Sequence, residues 1–248
     1  MPRVPARRHP APPDLPAFAD RAEAGERLAA ALRESVEKFK FHHLERPVVF
    51  AIPRGGVAVA AGVARCLAAP LDVIVVRKIG HPKAPEFGLG AIAEGGEPVF
   101  DDEVLAEAGL TVSDLAEVVR RERAELARRV SAYRSPHRGA PGRDGPDGPY
   151  PPGGLAIVVD DGLATGVTAR AALRAVAGRL GGTQDRPVRT VLAVPVAAEG
   201  SLAGINAEAD EVVTVVTARR LRSVGEWYAD FGQLTDADVL TLLAEGQP

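Results

Sequence analysis

The segment with the most restrictive chemistry is LAIVVDDGLATGVTARAAL, residues 155–173. A short apolar run ends in two adjacent acids, Asp160 and Asp161, and a turn, GLATGVT, then opens a helix. In such a turn the backbone N–H groups of Ala164, Thr165, Gly166, Val167 and Thr168 point inward at the positive end of the helix, which suits an anion. Thr165 and Thr168 add hydroxyl donors, and Gly166 lets the backbone approach the ligand closely. A phosphate fits this cradle. No Gly-Lys-Ser/Thr follows, so it is not a Walker A loop. Two carboxylates at the rim repel a bare polyphosphate but suit vicinal sugar hydroxyls or a magnesium-bound ligand. A ribose 5-phosphate satisfies both halves. Strand-end acids taken alone also cap helices or pair with surface arginines; the full loop around this pair favours binding.

The elements that must hold this loop alternate along the chain. Asp20 begins a helix, with Glu23 completing a capping box and Leu28, Leu32, Val36 and Phe39 at helical spacing. Strands are expected at 48–52, 71–76, 155–159, 188–194 and 211–216, and helices at 57–69, 168–180 and 199–209. A further helix over 113–134 carries Leu115, Val119, Leu126, Val130 and Tyr133 on one face and many Arg and Glu on the others. Strand, glycine-rich turn, helix and strand make a βαβ unit. The expected fold is α/β: a parallel sheet of about five strands with helices on both faces. Ligands in such sheets sit at the carboxyl ends of the strands. Residues 77–96 are Gly- and Pro-rich and read as a long loop with a short hairpin at its end. Residues 1–16 hold six prolines and read as a disordered leader; 17–248 then form one domain, with 217–248 closing it. Twelve of the 20 residues over 135–154 are Gly or Pro, which predicts a surface excursion without regular structure.

The run AIVVDDGLATGVT (156–168) resembles the signature of the type I phosphoribosyltransferases. The resemblance implies that Asp160 and Asp161 bind the ribose hydroxyls of phosphoribosyl pyrophosphate (PRPP), and that Ala164 to Thr168 hold its 5-phosphate. It implies a magnesium ion held mainly by PRPP, with Asp160 and Asp161 reaching it through water. IPRGGV (52–57) is similar to the family's pyrophosphate loop, assigning Arg54 and Gly55 to the leaving group and a non-proline cis peptide to Arg54–Gly55. Val75, Val76, Arg77 and Lys78 resemble the strand end whose cations meet pyrophosphate, followed by a flexible loop over 79–93 that closes to exclude water. A small hood follows the last strand. The motifs span about residues 47–231, and their order looks closest to a bacterial group of predicted phosphoribosyltransferases of undefined acceptor.

The implied reaction moves the 5-phosphoribosyl group from PRPP to a nitrogenous acceptor and releases pyrophosphate, which belongs to nucleotide metabolism. Hypoxanthine-guanine enzymes carry an extra Asp three positions after the acid pair; here that position is Ala164. DDGLATG is closer to the DDLLATG of adenine enzymes, whose mobile-loop Glu aligns with Glu94, making Glu94 a general acid/base candidate. A purine-like base is the implied acceptor. In VGEWYADFGQ (224–233), Trp227, Tyr228 and Phe231 offer rings to a planar heterocycle and Asp230 offers an acceptor. The same aromatics could instead anchor a core or a dimer interface, and Glu94 could be an exposed turn acid. A PRPP- or nucleotide-binding regulator without catalysis, and a phosphoribosyltransferase for an unusual secondary-metabolite acceptor, remain open readings. The resemblance suggests a homodimer.

Composition bounds the partners. The 248 residues hold 30 Lys+Arg against 33 Asp+Glu, a net charge of -3, which argues against nucleic acid or anionic lipid held by bulk charge. No apolar run approaches the ~20 residues of a membrane span, and no signal peptide is expected. The single cysteine, Cys66, excludes an internal disulfide, fits a reducing cytoplasm and is expected in the core. Only four residues are lysines, and two of them, Lys78 and Lys83, flank His81 in the expected loop. His42 and His43 lack a partner at metal spacing and read as surface residues.

Overall fold

The first helix starts where the sequence supplies its cap. In a computed structural model, which describes residues 16–40, 47–134, 153–181, 183 and 187–245, Asp20 Oδ1 accepts from the Glu23 N–H at 2.9 Å. Glu23 Oε2 in turn accepts from the Ala19 N–H at 2.6 Å, and α1 runs over Arg21–Lys40. Strand β1 (Val48–Ala51) leads through Pro53 and Arg54 into α2 (Gly55–Leu67), and β2 (Leu71–Val73) follows. After an excursion, β6 (Gly154–Val159), α5 (Val167–Leu180), β7 (Val188–Ala198), α6 (Glu199–Ile205) and β8 (Glu211–Ala218) continue the alternation. The expected leader, apart from Pro16, residues 135–152 of the expected excursion, and His42–His43 lie outside the described residues.

Five strands form one parallel sheet in the order β2-β1-β6-β7-β8. Its register aligns Ala51 with Val73 on one side and Val159 on the other, so these strands end at one level. Alternate strand residues face opposite layers. Val49, Ala51, Ile157 and Val159 pack with Leu28 and Leu32 of α1, Val57 and Val63 of α2, and Val239 and Leu243 of α7 (Asp236–Glu245). Phe50, Ala156, Val158 and Leu192 pack with Leu173 and Val176 of α5. Both faces are dry, which is why the strands read as unbroken apolar runs. No helix among the described residues is long and apolar enough to cross a membrane.

Residues 77–96, expected as a long loop, are instead mostly strand. β3 (Val76–His81) and β4 (Ala84–Ala93) pair antiparallel, and β5 (Val99–Phe100) adds a third strand. The helix α3 (Asp102–Glu107) and a short 3-10 turn at Val112–Leu115 lead to α4 (Ala116–Arg134). The hairpin lies between two helices: Ile79, Leu89 and Ile92 share a core with Leu126 and Tyr133 of α4, while Ala91, Ala93 and Val99 face α5. The glycines that suggested flexibility sit where strands crowd each other. A Cβ on Gly80 would lie 2.2 Å from the Pro85 carbonyl oxygen, and one on Gly90 2.6 Å from that of Val99. Cys66 is also corrected: it is exposed on α2, with an Arg33 guanidinium N–H 3.4 Å from its sulfur.

Candidate active site

Two chain turns meet at the carboxyl end of the sheet. β6 ends at Val159, so Asp160 and Asp161 emerge beside the turn between β1 and α2. The approach is close. A Cβ on Gly55 would fall 1.8 Å from Asp161 Oδ2, and one on Gly56 would fall 2.8 Å from the Val159 carbonyl oxygen and 3.2 Å from Asp160 Oδ1. Only glycine fits at either position without moving the acids. The PRGG turn and the acid pair, 105 residues apart from Gly56 to Asp161, therefore form one surface. The cis peptide bond lies at Pro53–Arg54, one residue before the expected Arg54–Gly55.

The acid pair is crowded and short of positive charge. Asp160 Oδ1 accepts from the Asp161 N–H at 2.9 Å. Burial, with the neighbouring Asp161 charge, raises Asp160 well above the usual carboxylate range. Burial raises Asp161 too, and the Arg21 guanidinium opposes it. Arg21 Nε donates to Asp161 Oδ2 at 2.9 Å, and the Tyr228 hydroxyl donates to the Asp161 carbonyl oxygen at 2.6 Å. Burial and the Asp161 charge hold the Tyr228 hydroxyl protonated far above its ordinary range. Two adjacent carboxylates with one cation beside them can accept hydroxyl donors or water on a divalent ion. No group of three His, Cys, Asp or Glu among the described residues could hold a metal alone. The donor set fits an ion that keeps its waters and takes other ligands from a substrate, as magnesium does.

The loop after the acids is fastened from outside. Leu163 donates to the Val196 carbonyl at 2.8 Å and accepts from the Ala198 N–H at 2.8 Å; the Ser201 hydroxyl donates to the Ala164 carbonyl. Gly166 adopts φ 84°, the left-handed region that glycine enters freely, and starts α5 with no side-chain cap. The first-turn N–H groups of α5 are thus left for a bound group. Ala164 and Thr165 are exposed, Thr168 is half-buried, and Val167 is turned into the core.

The remaining expected site residues are placed less uniformly. Arg54 is exposed at the start of α2. Arg77 faces away toward α4, where its guanidinium donates to Glu122 Oε2 at 2.8 and 3.0 Å. Lys78 is exposed on the opposite face of β3 and forms no ion pair among the described residues. Glu94 is not brought to the acid pair. Its N–H bonds the Val75 carbonyl at 3.0 Å, at the root of the hairpin, and its carboxylate pairs with Arg134 and, at 3.4 Å, with Arg179, which also holds Asp72 at 2.8 Å. Val75 follows β2, and β1 stands between β2 and β6, so Glu94 is attached on the far side of a strand from the acids. Trp227 and Tyr228 are buried rather than open to a ligand: they pack with Phe18, whose ring is 5.3 Å from that of Tyr228. The Phe231 ring lies between Tyr228, 5.0 Å away, and Arg21, 3.8 Å from its centroid. Asp230 Oδ1 accepts from the Gly232 N–H at 3.0 Å.

Glu94 carries a stability consequence. Burial outweighs the two guanidiniums and raises it from 4.5 to about 7. Below about pH 4.5 the folded and unfolded chains both hold this proton. Between about 4.5 and 7 the unfolded chain releases it first, so this group's contribution to stability falls as pH rises and is gone above about 7. Glu94→Gln is neutral at every pH. It should lose less stability than the parent chain between about pH 4.5 and about pH 7, read by denaturant melts. Parallel slopes would mean that the arginines already keep Glu94 ionised.

Arg21 was the residue sequence reasoning missed. It lies 140 residues from Asp161, so no local pattern links them. One signal was present: an arginine in the first turn of a helix sits against the macrodipole and needs another partner.

A parallel sheet with helices on both faces, an acid pair at the end of its central strand and an uncapped glycine turn behind that pair define the phosphoribosyltransferase class. The family model for the phosphoribosyl transferase domain matches residues 19–181, and the chain belongs to that family. Proteins from two strains of Mycobacterium tuberculosis, each named "Putative phosphoribosyl transferase", are 39% identical to it over 227 residues. That alignment covers 91% of this chain but 46% of each relative, so the chain spans about half the length of the curated relatives it matches. The crystal structure of TT1426 from Thermus thermophilus is also 39% identical, covering 93% of this chain and 99% of that one at a TM-score of 0.67.

Proposed function

We propose that this chain transfers the 5-phosphoribosyl group from PRPP to a nitrogenous acceptor, releasing pyrophosphate, with magnesium bound alongside PRPP. The observation that carries the reading is the meeting of the Asp160–Asp161 pair with the Gly55–Gly56 backbone, next to the uncapped start of α5. That surface offers acceptors for two ribose hydroxyls and, within eight residues further along the chain, N–H donors for a 5-phosphate. Family membership supports the same reaction class.

The chain's own groups have distinct tasks in this reading. The α5 turn anchors the phosphate through Ala164, Thr165, Gly166, Val167 and Thr168. Asp160 and Asp161 fix the ribose and stabilise the positive charge that grows as the bond from the anomeric carbon to pyrophosphate breaks and the bond to the acceptor nitrogen forms. Arg54, the Gly55 N–H and Lys78 face the departing pyrophosphate. Arg77, held by Glu122, positions β3 beneath Lys78. Magnesium held by PRPP, with Asp160 and Asp161 reaching it through water, would offset charge on the leaving group. We read the acceptor as a purine-like base, from the likeness of DDGLATG to adenine enzymes. The faces of Trp227 and Tyr228 are already covered, so Phe231 and Asp230 are the acceptor-side groups nearest to solvent.

Calorimetric titration with PRPP, with and without magnesium, tests this. Saturable binding that needs magnesium, followed by pyrophosphate release with one base from a panel, is the expected result. Binding without release from any base would turn the reading into that of a regulator. No binding would remove it.

A further inference from the structure

Two separate stretches of chain lie against the acid pair and are knitted together. Phe18 donates to the Trp227 carbonyl at 3.0 Å, Ala229 to the Phe18 carbonyl at 2.8 Å, and Asp230 to the Ala19 carbonyl at 2.8 Å. Just beyond, Arg21 joins this patch to the site. One edge of its guanidinium binds Asp161 through Nε, another binds the Gly232 carbonyl through Nη1 at 2.8 Å, and its face covers Phe231. Its side chain is only 11% exposed. A guanidinium is planar and rigid, so its donors move together. A ligand hydroxyl that takes lone pairs on Asp161 Oδ2 competes with Nε, and any shift of the fork is passed to Gly232 and Phe231.

We propose that Arg21 is a positioning residue that couples the ribose site to the 227–232 segment, so that filling the acid pair resets the acceptor side of the site. This rests on the functional reading above. It makes acceptor binding depend on prior occupation of the ribose site. Arg27 supplies the contrast: it bonds the Ala17 carbonyl at 2.6 Å and lies 4.7 Å from the Phe18 ring centroid, steadying the same patch without touching the acids.

The chain contains one tryptophan, Trp227, and it lies in the coupled segment. Its emission therefore reports that segment directly. PRPP with magnesium is titrated into the parent chain and into Arg21→Lys, Arg21→Ala and Arg27→Ala, reading heat and Trp227 emission together. The parent chain and Arg27→Ala should show an emission change that saturates with the heat. Both Arg21 variants should still give heat but lose the emission change. In turnover assays their acceptor KM should rise roughly tenfold, the equivalent of about one charge-assisted hydrogen bond, with kcat moving less. Arg21→Lys keeps the charge and guards against an alanine variant that folds poorly. An emission change in Arg21→Lys equal to that of the parent chain overturns the proposal, as does heat without emission change in the parent. Absence of heat in the parent chain removes the functional reading and this coupling with it.

Discussion

Asp161→Asn is expected to weaken magnesium-dependent PRPP binding by roughly tenfold to a hundredfold, the worth of one charge-assisted hydrogen bond. Asparagine keeps the shape that fits against Gly55, so the close approach survives. It loses the charge, and one of its two positions becomes a donor. The ribose then meets one acceptor fewer, and Arg21 is left beside a neutral amide in a nearly buried setting. Removing one negative charge also lets Asp160 ionise more readily, since Asp161 is part of what raises it. That relief works against the loss but acts on a different carboxylate, so the net effect stays large. Calorimetry gives the affinity and a thermal melt checks that the fold is retained. Unchanged affinity in a folded variant would remove the acid pair from the site.

Gly25→Ala is expected to destabilise the protein although it puts a better helix former inside α1. The propensity gain is about 1 kcal/mol. Against it, a Cβ at Gly25 would lie 2.5 Å from the Val59 carbonyl oxygen, and Gly62 on α2 faces Gly25 in return. Nothing there is a flexible side-chain end, so α1 and α2 must move apart, an overpacking cost of about 1–3 kcal/mol. Gly25→Val should cost more still and lower Tm by roughly 5–10 °C, at about 2–4 °C per kcal/mol. Gly178 is the control. It lies in α5 and a Cβ there meets nothing within 4 Å, so Gly178→Ala should raise Tm slightly. Equal and positive shifts at both positions would mean that the α1–α2 contact is looser than its geometry indicates.

The sheet was legible because its strands are buried on both faces. Runs such as VVFA and GLAIVV have no competing reading once glycine turns and helices separate them. The acid pair and its turn were legible because strand, acids, turn and helix follow one another in the chain. The extent of the hairpin was not. Gly80 and Gly90 allow one strand to crowd another, and composition alone cannot distinguish such a glycine from one in a mobile loop. Trp227 and Tyr228 fitted a ligand platform or a core anchor equally; the partner that decides for the core, Phe18, lies more than 200 residues earlier. Glu94 aligned by count to a mobile-loop acid, yet the chain folds it against Arg134 and Arg179, a contact only the packing of α4 and α5 on β4 creates. Helix and strand periodicity reports which face is buried. It does not report which distant side chain lies there.

The hairpin has a root and a tip that can change independently over evolutionary time. From Leu89 to Ala93, β4 is buried on both faces, so substitutions there must respect two helices at once. From Ala84 to Phe87 it is exposed, and Phe87 holds a large ring in solvent. A descendant chain could exchange Glu86 or Phe87 without repacking a single core residue. New chemistry at the mouth of the strands is thus open to trial one residue at a time, while the frame that carries it stays fixed.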